Sequence, residues 1–323
     1  MPRLILTSSD SGSGNLLAAG IADVVIPLSF RLVWGAPPTV AELDAKLGPG
    51  SLSDFPQRRL REFHSQGMGP LDLCERCDAI ELWFDPSPNA QLMLIQLLDC
   101  LRSRASLVPK LTLFQADVEI GNQSPETIAE WKPPGVKIGS DHLEAARMAW
   151  RAYRQPTPQD WFDLLDKDIG VLPQLRQTVL EMLEELPLPA TGLGATEMRL
   201  LELISAGNAS PPDVFPGHEK PNMRRVFGYW EIGTLLDGLA NGPSPAVSGL
   251  DEGPFTEELH KDRGRHARYK QSKLSLTALG KAVLAQTEDF IRHNPIHRWW
   301  GGTELTNDNL WRWDPSNRAL IAP

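Results

Sequence analysis

Serine and glycine follow the first apolar run of the chain, which spans Arg3 to Thr7. These residues allow a tight turn whose successive N–H groups point to one place. The positive end of a following helix would add to the attraction for an anion. We therefore predict an anion-facing turn made by Ser9, Asp10, Ser11, Gly12, Ser13 and Gly14. The spacing matches no dinucleotide or Walker motif, and a plain strand-to-helix turn capped by Asp10 or Ser11 explains it equally well.

A second polar group follows the apolar run that ends in Trp83-Phe84, where the chain continues with Asp85 and then Asn89 and Gln91. Ligands of open α/β sheets bind at the carboxyl ends of the strands, so these side chains are predicted to form the other wall of one crevice. Asp10 and Asp85 would then be close enough to hold one Mg²⁺ ion. The alternative is a proline-rich turn that is merely capped by Asp85 and Asn89.

The third candidate is the only concentrated positive charge, between residues 260 and 270. A mobile hairpin there would grip the phosphates of a nucleic acid. The candidate contacts are Arg263, Arg265, Arg268 and Lys270. A solvated loop, or an internal contact with acidic neighbours such as Glu252 and Glu257, is the alternative.

Short apolar runs alternate with polar turns and helical segments over residues 1–120, which predicts an α/β domain with a short parallel sheet built from βαβ units. The predicted strands are Arg3–Thr7, Asp23–Leu28, Ala79–Phe84 and Leu111–Ala116. Leucine and isoleucine recur at helical spacing over Asn89–Ser103.

The rest of the chain reads as mainly helical, with a middle segment at residues 121–190 and a third segment at 191–323. Helices are predicted at Asp141–Tyr153, Pro158–Asp166, Leu172–Leu186, Thr196–Ala206, Met223–Ala240 and Ala278–Phe290. Two helices, a basic hairpin and the strand-like Leu274–Thr277 together suggest a winged-helix-like module. Four tryptophans between positions 299 and 313 predict a tail that is anchored on a core.

The composition limits the function classes. The chain has 323 residues, 41% of them hydrophobic, and a formal net charge of −9, which argues against non-specific attraction to nucleic acids or anionic membranes. Three cysteines are too few for a disulfide framework. With no signal peptide and no apolar run of membrane-spanning length, we expect a cytoplasmic protein with no membrane partner.

Several local strings together resemble the bacterial domain-of-unknown-function family 1835. They are Leu4–Ile21, Trp83–Leu98, Leu186–Glu197 and the tail around Arg298–Gly302 and Trp311–Asp314. The resemblance implies an α/β domain followed by a helical half, and no assigned reaction. In that family the first strand carries a histidine and ends in Asn-Gly-Asp, and an aspartate precedes a Gly-Pro turn. The chain has Ile5, Ser8, Ser9, Asp10 and Phe30 at these positions.

The polar residues that follow the Trp-Phe strand in that family correspond here to Asp85, Pro86 and Ser87, while Gln91 is retained. Since an isoleucine cannot move a proton, this comparison favours binding over turnover. The first hypothesis is thus a non-catalytic or regulatory binder of a small phosphate-bearing ligand. A metal-assisted hydrolase or transferase that uses Asp10 and Asp85, and a nucleic-acid-binding regulator, are the alternatives. No cofactor, catalytic residue or oligomeric state follows from the sequence.

Overall fold

The structure of the protein is a computed structural model, and it describes residues 3–52, 58–115, 117–217 and 224–323. It divides into two compact units. Unit 1 comprises Met1–Leu32, Pro37–Arg154 and Leu164–Thr178. Unit 2 comprises Val33–Ala36, Gln155–Asp163 and Val179–Pro323. Within the described residues no helix is both long and apolar enough to cross a membrane.

Unit 1 is a mixed α/β fold built on one five-stranded sheet. Its strands are β1 (Leu4–Thr7), β2 (Val24–Pro27), β3 (Ile80–Phe84), β4 (Leu111–Gln115) and β5 (Val136–Lys137). The order across the sheet is β2-β1-β3-β4-β5; the first four strands are parallel, and β5 pairs antiparallel with β4. The predicted parallel sheet is therefore confirmed, and β5 is an added edge strand. The end of the predicted fourth strand, Ala116, lies outside the described residues.

The helices of unit 1 cover both faces of the sheet. They are α1 (Asp10–Ala18), α2 (Val40–Leu47), α3 (Arg58–Ser65), α4 (Pro70–Arg76), α5 (Pro88–Leu101), α6 (Pro125–Glu130) and α7 (Ser140–Tyr153). Every residue of β1 is buried, as expected for a parallel strand covered on both faces. One face packs Ile5 and Val25 against Leu16 of α1 and Ile128 of α6.

Helices from two of the three segments suggested by the sequence pack together on the second face of the sheet in unit 1. Helix α5 is almost entirely buried, and α7 packs directly against it. The predicted middle segment therefore contributes its first helix to the same core as the sheet. The Tyr153 hydroxyl, at the end of α7, also donates to the main-chain oxygen of Leu32 at 2.6 Å.

Along the rest of the chain the helices are α8 (Gln159–Asp163), α9 (Leu175–Glu184), α10 (Ala195–Ser205), α11 (Pro211–Gly217), α12 (Tyr229–Asn241), α13 (Glu257–Lys261), α14 (Arg263–Gln271) and α15 (Ala278–Leu284). The strands are β6 (Val247–Ser248), β7 (Ser275–Leu276), β8 (His297–Trp300), β9 (Thr303–Thr306), β10 (Arg312–Asp314) and β11 (Ala319–Ile321). They form three antiparallel pairs, β6-β7, β8-β9 and β10-β11. The start of the predicted helix Met223–Ala240 lies outside the described residues; the described helix begins at Tyr229.

The predicted basic hairpin is wrong, because residues 260–261 end α13 and residues 263–270 belong to α14. Asp262 accepts hydrogen bonds from the N–H groups of Gly264 and Arg265 and so begins α14. The segment contains no β-branched residue, and Tyr269 is buried on its inner side. The N-cap at Asp262 and the buried Tyr269 therefore favour a helix in this basic segment over the predicted hairpin.

Candidate functional site

The candidate site lies where the order of the parallel sheet reverses. The chain leaves β1 toward β2 on one side, and it returns through β3 on the other side of β1. Since right-handed crossovers put the two following helices on opposite faces, a crevice opens at the carboxyl ends of β1 and β3. Ser8 and Ser9 follow β1, and Asp85 follows β3, so the two polar groups of the sequence meet at this edge.

The buried carboxylate of Asp85 connects the segments around the crevice. One oxygen accepts from the Ser8 hydroxyl at 2.8 Å and from the Ser9 hydroxyl at 3.2 Å. The other oxygen accepts from the main-chain N–H of Ile120 at 2.7 Å, and the Asp85 N–H in turn donates to the Ser8 hydroxyl oxygen at 3.0 Å. Asp85 thus holds the end of β1 and the turn after β4 in place.

The N-terminus of α1 is capped by a side chain and covered by a neighbouring turn. Ser9 is its N-cap, rather than Asp10 or Ser11, and its hydroxyl oxygen accepts from the N–H of Gly12 at 3.2 Å. The turn around Gly121 lies over the helix start, so closely that a Cβ atom at position 121 would come within 2.3 Å of the Ser11 hydroxyl oxygen. The Asn15 amide fixes this turn by donating to the main-chain oxygen of Gln123 at 2.8 Å.

Helix α5 begins differently, although it starts at the same edge of the sheet. Its N-cap is Ser87, whose hydroxyl makes no capping hydrogen bond to the helix N–H groups. Pro88 occupies the first helical position, so the first N–H groups of the helix belong to Asn89 and Ala90. The positive end of α5 therefore faces the crevice without a capping side chain of its own.

Between these elements lies a polar cavity of about 140 Å³, which we call the serine cavity. Its lining residues are Ser8, Ser9, Ser11, Asp85, Ser87, Asn89, Ala90, Met93, Glu119, Gly121 and Asn122. Hydroxyl and amide groups dominate, and no lysine, arginine or histidine is among these described lining residues. The cavity can therefore bind a ligand through main-chain N–H groups, hydroxyls and carboxylates.

The electrostatics of the cavity depend on two carboxylates. Burial raises the pKa of Asp85 above its usual value, and the nearby Glu119 acts in the same direction. The hydrogen bonds from Ile120 and Ser8 oppose this shift by stabilising the charged form. The Glu119 carboxylate accepts from the Asn122 side-chain amide at 3.0 Å. Both carboxylates are acceptors, so they suit ligand hydroxyl groups.

The structure brings together some of the residues predicted for this site. Ser9, Ser11, Asp85 and Asn89 line the serine cavity. Asp10, Gly12, Ser13, Gly14 and Gln91 do not. Asp10 accepts from the Ser29 hydroxyl at 3.3 Å, and Gln91 is buried, donating to the main-chain oxygen of Asp85 at 2.7 Å.

Asn89 lines the cavity, but its side chain serves the fold. Its oxygen accepts from the N–H of Leu32, and its amide donates to the main-chain oxygen of Phe30, each at 2.8 Å. Sequence reasoning missed Glu119 and Asn122, because they belong to a turn after β4 that carries no motif. It treated Ser87 as part of a proline turn, although Ser-Pro before an apolar helix is a usable N-cap signal.

The basic residues predicted for nucleic acid lie in α14 of unit 2. Arg265 and Arg268 both bind the carboxylate of Glu252, at 3.0 Å and 2.7 Å from the guanidinium Nε atoms. Lys270 lines a cavity of unit 2 that is described below. Arg263 starts the helix. Two of the four predicted phosphate contacts are thus paired with a carboxylate of the protein itself.

Comparisons with known proteins give no family. No family model matches the chain, and no curated protein does. Among solved structures, the chain is similar to the DNA-binding, cleavage and re-ligation domain of Plasmodium falciparum topoisomerase II, with 12% sequence identity and a TM-score of 0.41. That alignment covers 98% of this chain and 55% of the other. A TM-score at this level does not define a common fold, and no functional argument follows from it.

Proposed function

We propose that unit 1 is a non-catalytic binding module for a small phosphate-bearing ligand that occupies the serine cavity. The observation that carries the proposal is the start of α5, which faces the cavity at the switch point of the sheet without a side-chain cap. Main-chain N–H groups at a helix start are common phosphate ligands. The hydroxyls of Ser87 and Ser11 would add donors on either side.

The size and the carboxylates of the cavity narrow the class of ligand. A volume of about 140 Å³ is below the range of about 300–1,000 Å³ that is usual for drug-sized ligands and cofactors, so a whole nucleotide would not be enclosed. Asp85 and Glu119 would repel a bare, multiply charged anion, but they accept hydrogen bonds from hydroxyl groups. These features support a short polyol phosphate, with its phosphate at α5 and its hydroxyls toward Glu119.

The hydrogen bonds of Asp85 support a binding role over a catalytic one. Both of its oxygens already accept hydrogen bonds from the protein, which suits a structural acceptor better than a base. The metal-assisted alternative required Asp10 beside Asp85, and Asp10 does not line the cavity. Nor do the described residues include a group of three or more metal-ligating side chains.

The winged-helix and nucleic-acid hypothesis for the third segment stays a prediction from the sequence. Its wing would have been residues 260–273, most of which lie in α13 and α14, and Arg265 and Arg268 form ion pairs with Glu252. No observation on the described residues of unit 2 favours it. Membership of domain-of-unknown-function family 1835 likewise rests on the sequence strings alone.

The proposal is tested by thermal unfolding of the full chain with sn-glycerol 3-phosphate, inorganic phosphate and glycerol. At about 100 times its dissociation constant, a ligand that binds only the folded state adds about 2.7 kcal/mol to the free energy of unfolding. We expect sn-glycerol 3-phosphate to raise the Tm by several degrees and glycerol to have no such effect. If no phosphate compound raises the Tm, or glycerol raises it equally, the proposal is wrong.

A further inference from the structure

Unit 2 contains a second cavity, formed by α11, α12 and α14, which we call the aromatic cavity. Its volume is about 400 Å³, within the range of about 300–1,000 Å³ that is typical of small-molecule sites. Its lining residues are Pro211, Pro212, Phe215, Arg225, Tyr229, Ile232, Tyr269 and Lys270. Nothing in the proposed function of unit 1 uses this cavity.

The walls of the aromatic cavity are flat and fixed. The ring of Phe215 meets that of Tyr229 edge to face at 5.3 Å between centroids, and meets that of Tyr269 at 6.4 Å. Phe255 supports both tyrosines from behind, at 5.1 Å and 5.0 Å. The hydroxyl of Tyr229 lies 2.7 Å from Nε2 of His260, which fixes its ring further. Such walls complement a planar, apolar ligand without rearrangement.

Two cationic side chains line the aromatic cavity. Lys270 and Arg225 belong to its lining, and no acidic side chain is among the described lining residues. The hydroxyl of Tyr269 has no hydrogen-bond partner among the described residues, but it is buried from solvent and does not reach the cavity surface. An anionic group on the ligand would therefore meet complementary charge at the cavity.

We propose that the aromatic cavity is a second ligand site, specific for a small planar aromatic compound that carries one anionic group. The aromatic body lies against the wall formed by Phe215, Tyr229 and Tyr269, and the anionic group contacts Lys270. Neither feature alone is sufficient: the rings explain the shape of the ligand, and the lysine explains its charge.

The test uses the full chain and the aromatic sulfonate 8-anilinonaphthalene-1-sulfonate as the probe, with its fluorescence titrated at fixed ionic strength. The exposed Lys270 tolerates substitution, so Lys270→Glu replaces attraction by repulsion without disturbing the core. Lys270→Arg keeps the charge. Lys281→Glu, on the exposed side of α15, is the matched control for the change in net charge.

We expect one probe per chain, with affinity weakened about tenfold or more by Lys270→Glu and changed less than about twofold by Lys270→Arg and Lys281→Glu. Tyr229→Ala, which removes one wall, should also weaken binding. Equal weakening by Lys270→Glu and Lys281→Glu would reduce the effect to net charge and overturn the proposal. Absence of saturable binding by the wild-type chain would overturn it as well.

Discussion

The serine cavity and the aromatic cavity differ in how each is built. The serine cavity is formed by the ends of parallel strands and the start of α5, so its donors are main-chain N–H groups and short hydroxyl side chains. The aromatic cavity is formed by the sides of helices, so its wall consists of rings and its polarity comes from long cationic side chains. The architecture of each unit therefore determines which part of a ligand it can recognise.

The two cavities also differ in what holds them together. Hydrogen bonds to one buried carboxylate, Asp85, fix the segments around the serine cavity. Edge-to-face ring contacts among Phe215, Tyr229 and Phe255 fix the aromatic cavity. A single substitution should thus disrupt the first much more than the second, since three donors lose their partner at once.

The largest effect is expected for Asp85→Ala, which tests whether one carboxylate organises unit 1. Removing it leaves the Ile120 N–H and two serine hydroxyls without their acceptor, at a cost of about 3–5 kcal/mol in the free energy of unfolding of unit 1. Hydrogen–deuterium exchange of peptides from each unit, followed in increasing urea, measures the stability of each unit separately.

Asp10→Ala is the matched control for Asp85→Ala. Asp10 is exposed in the first turn of α1 and accepts one long bond from Ser29, so its loss should cost less than about 1 kcal/mol. If the two substitutions lower the free energy of unfolding of unit 1 equally, Asp85 does not organise unit 1, and the difference that we describe between the two cavities is wrong.

A smaller effect concerns the pH dependence of the stability of unit 2. Burial raises the pKa of Asp237 to about 6, against the opposing hydrogen bond from the N–H of Phe255. Between its unfolded pKa of about 3.9 and about 6, the folded state binds a proton that the unfolded state does not, so the contribution of Asp237 to stability is largest below about 3.9 and is lost as pH rises through about 6.

Because Asp237 is only partly buried, we expect its own contribution to the stability of unit 2 to fall by about 1 kcal/mol between pH 4.5 and pH 7.5, after allowance for solvent screening. Asp237→Asn should remove this contribution, while the buried Glu185, whose pKa burial raises to about 7, still adds a pH dependence in the same direction. Urea unfolding at both pH values, read by hydrogen exchange of the peptide around Phe255, gives the difference. If stability changes with pH in the variant as much as in the wild type, the pH dependence belongs to another group.

The smallest effect is expected for Glu252→Ala, which releases Arg265 and Arg268 from their carboxylate. Ion pairs at a protein surface contribute little to stability, so the stability of unit 2 should change little. Affinity for the sulfonate probe should change by less than about twofold. A tenfold gain would mean that these arginines, and not Lys270, supply the charge that attracts the anion.

The elements of unit 1 could be predicted because they have local causes. Apolar runs such as Leu4–Thr7 and the repeat of leucine in α5 identify strand and helix without tertiary information. Asp85 was placed correctly because parallel strands end at one edge of the sheet. The turn at Glu119 to Asn122 could not be placed, since its position depends on the close approach of Gly121 to Ser11.

The helix start predicted from the sequence to face an anion, that of α1, differs from the start of α5 in our proposal. The serine- and glycine-rich turn attracted attention by composition, but Ser9 uses its hydroxyl on Gly12 and Asp85. Ser87 has no such role at α5. Which N-cap hydroxyl is engaged by the protein is a matter of side-chain geometry, and composition carries no information about it. The aromatic cavity could not be predicted from the sequence either. Phe215, Tyr229 and Tyr269 are far apart in the sequence, and only the folded structure brings them together.

The most direct test of the proposed function is calorimetric titration of sn-glycerol 3-phosphate into the wild-type chain, Ser87→Asp and Ser124→Asp. Aspartate is a good N-cap, so both variants should keep their helices, and Ser124 begins α6 outside the serine cavity. A new carboxylate at position 87 should repel the phosphate and weaken binding about tenfold or more, while Ser124→Asp should bind like the wild type. Equal affinity of the wild type and Ser87→Asp would contradict phosphate binding at the start of α5.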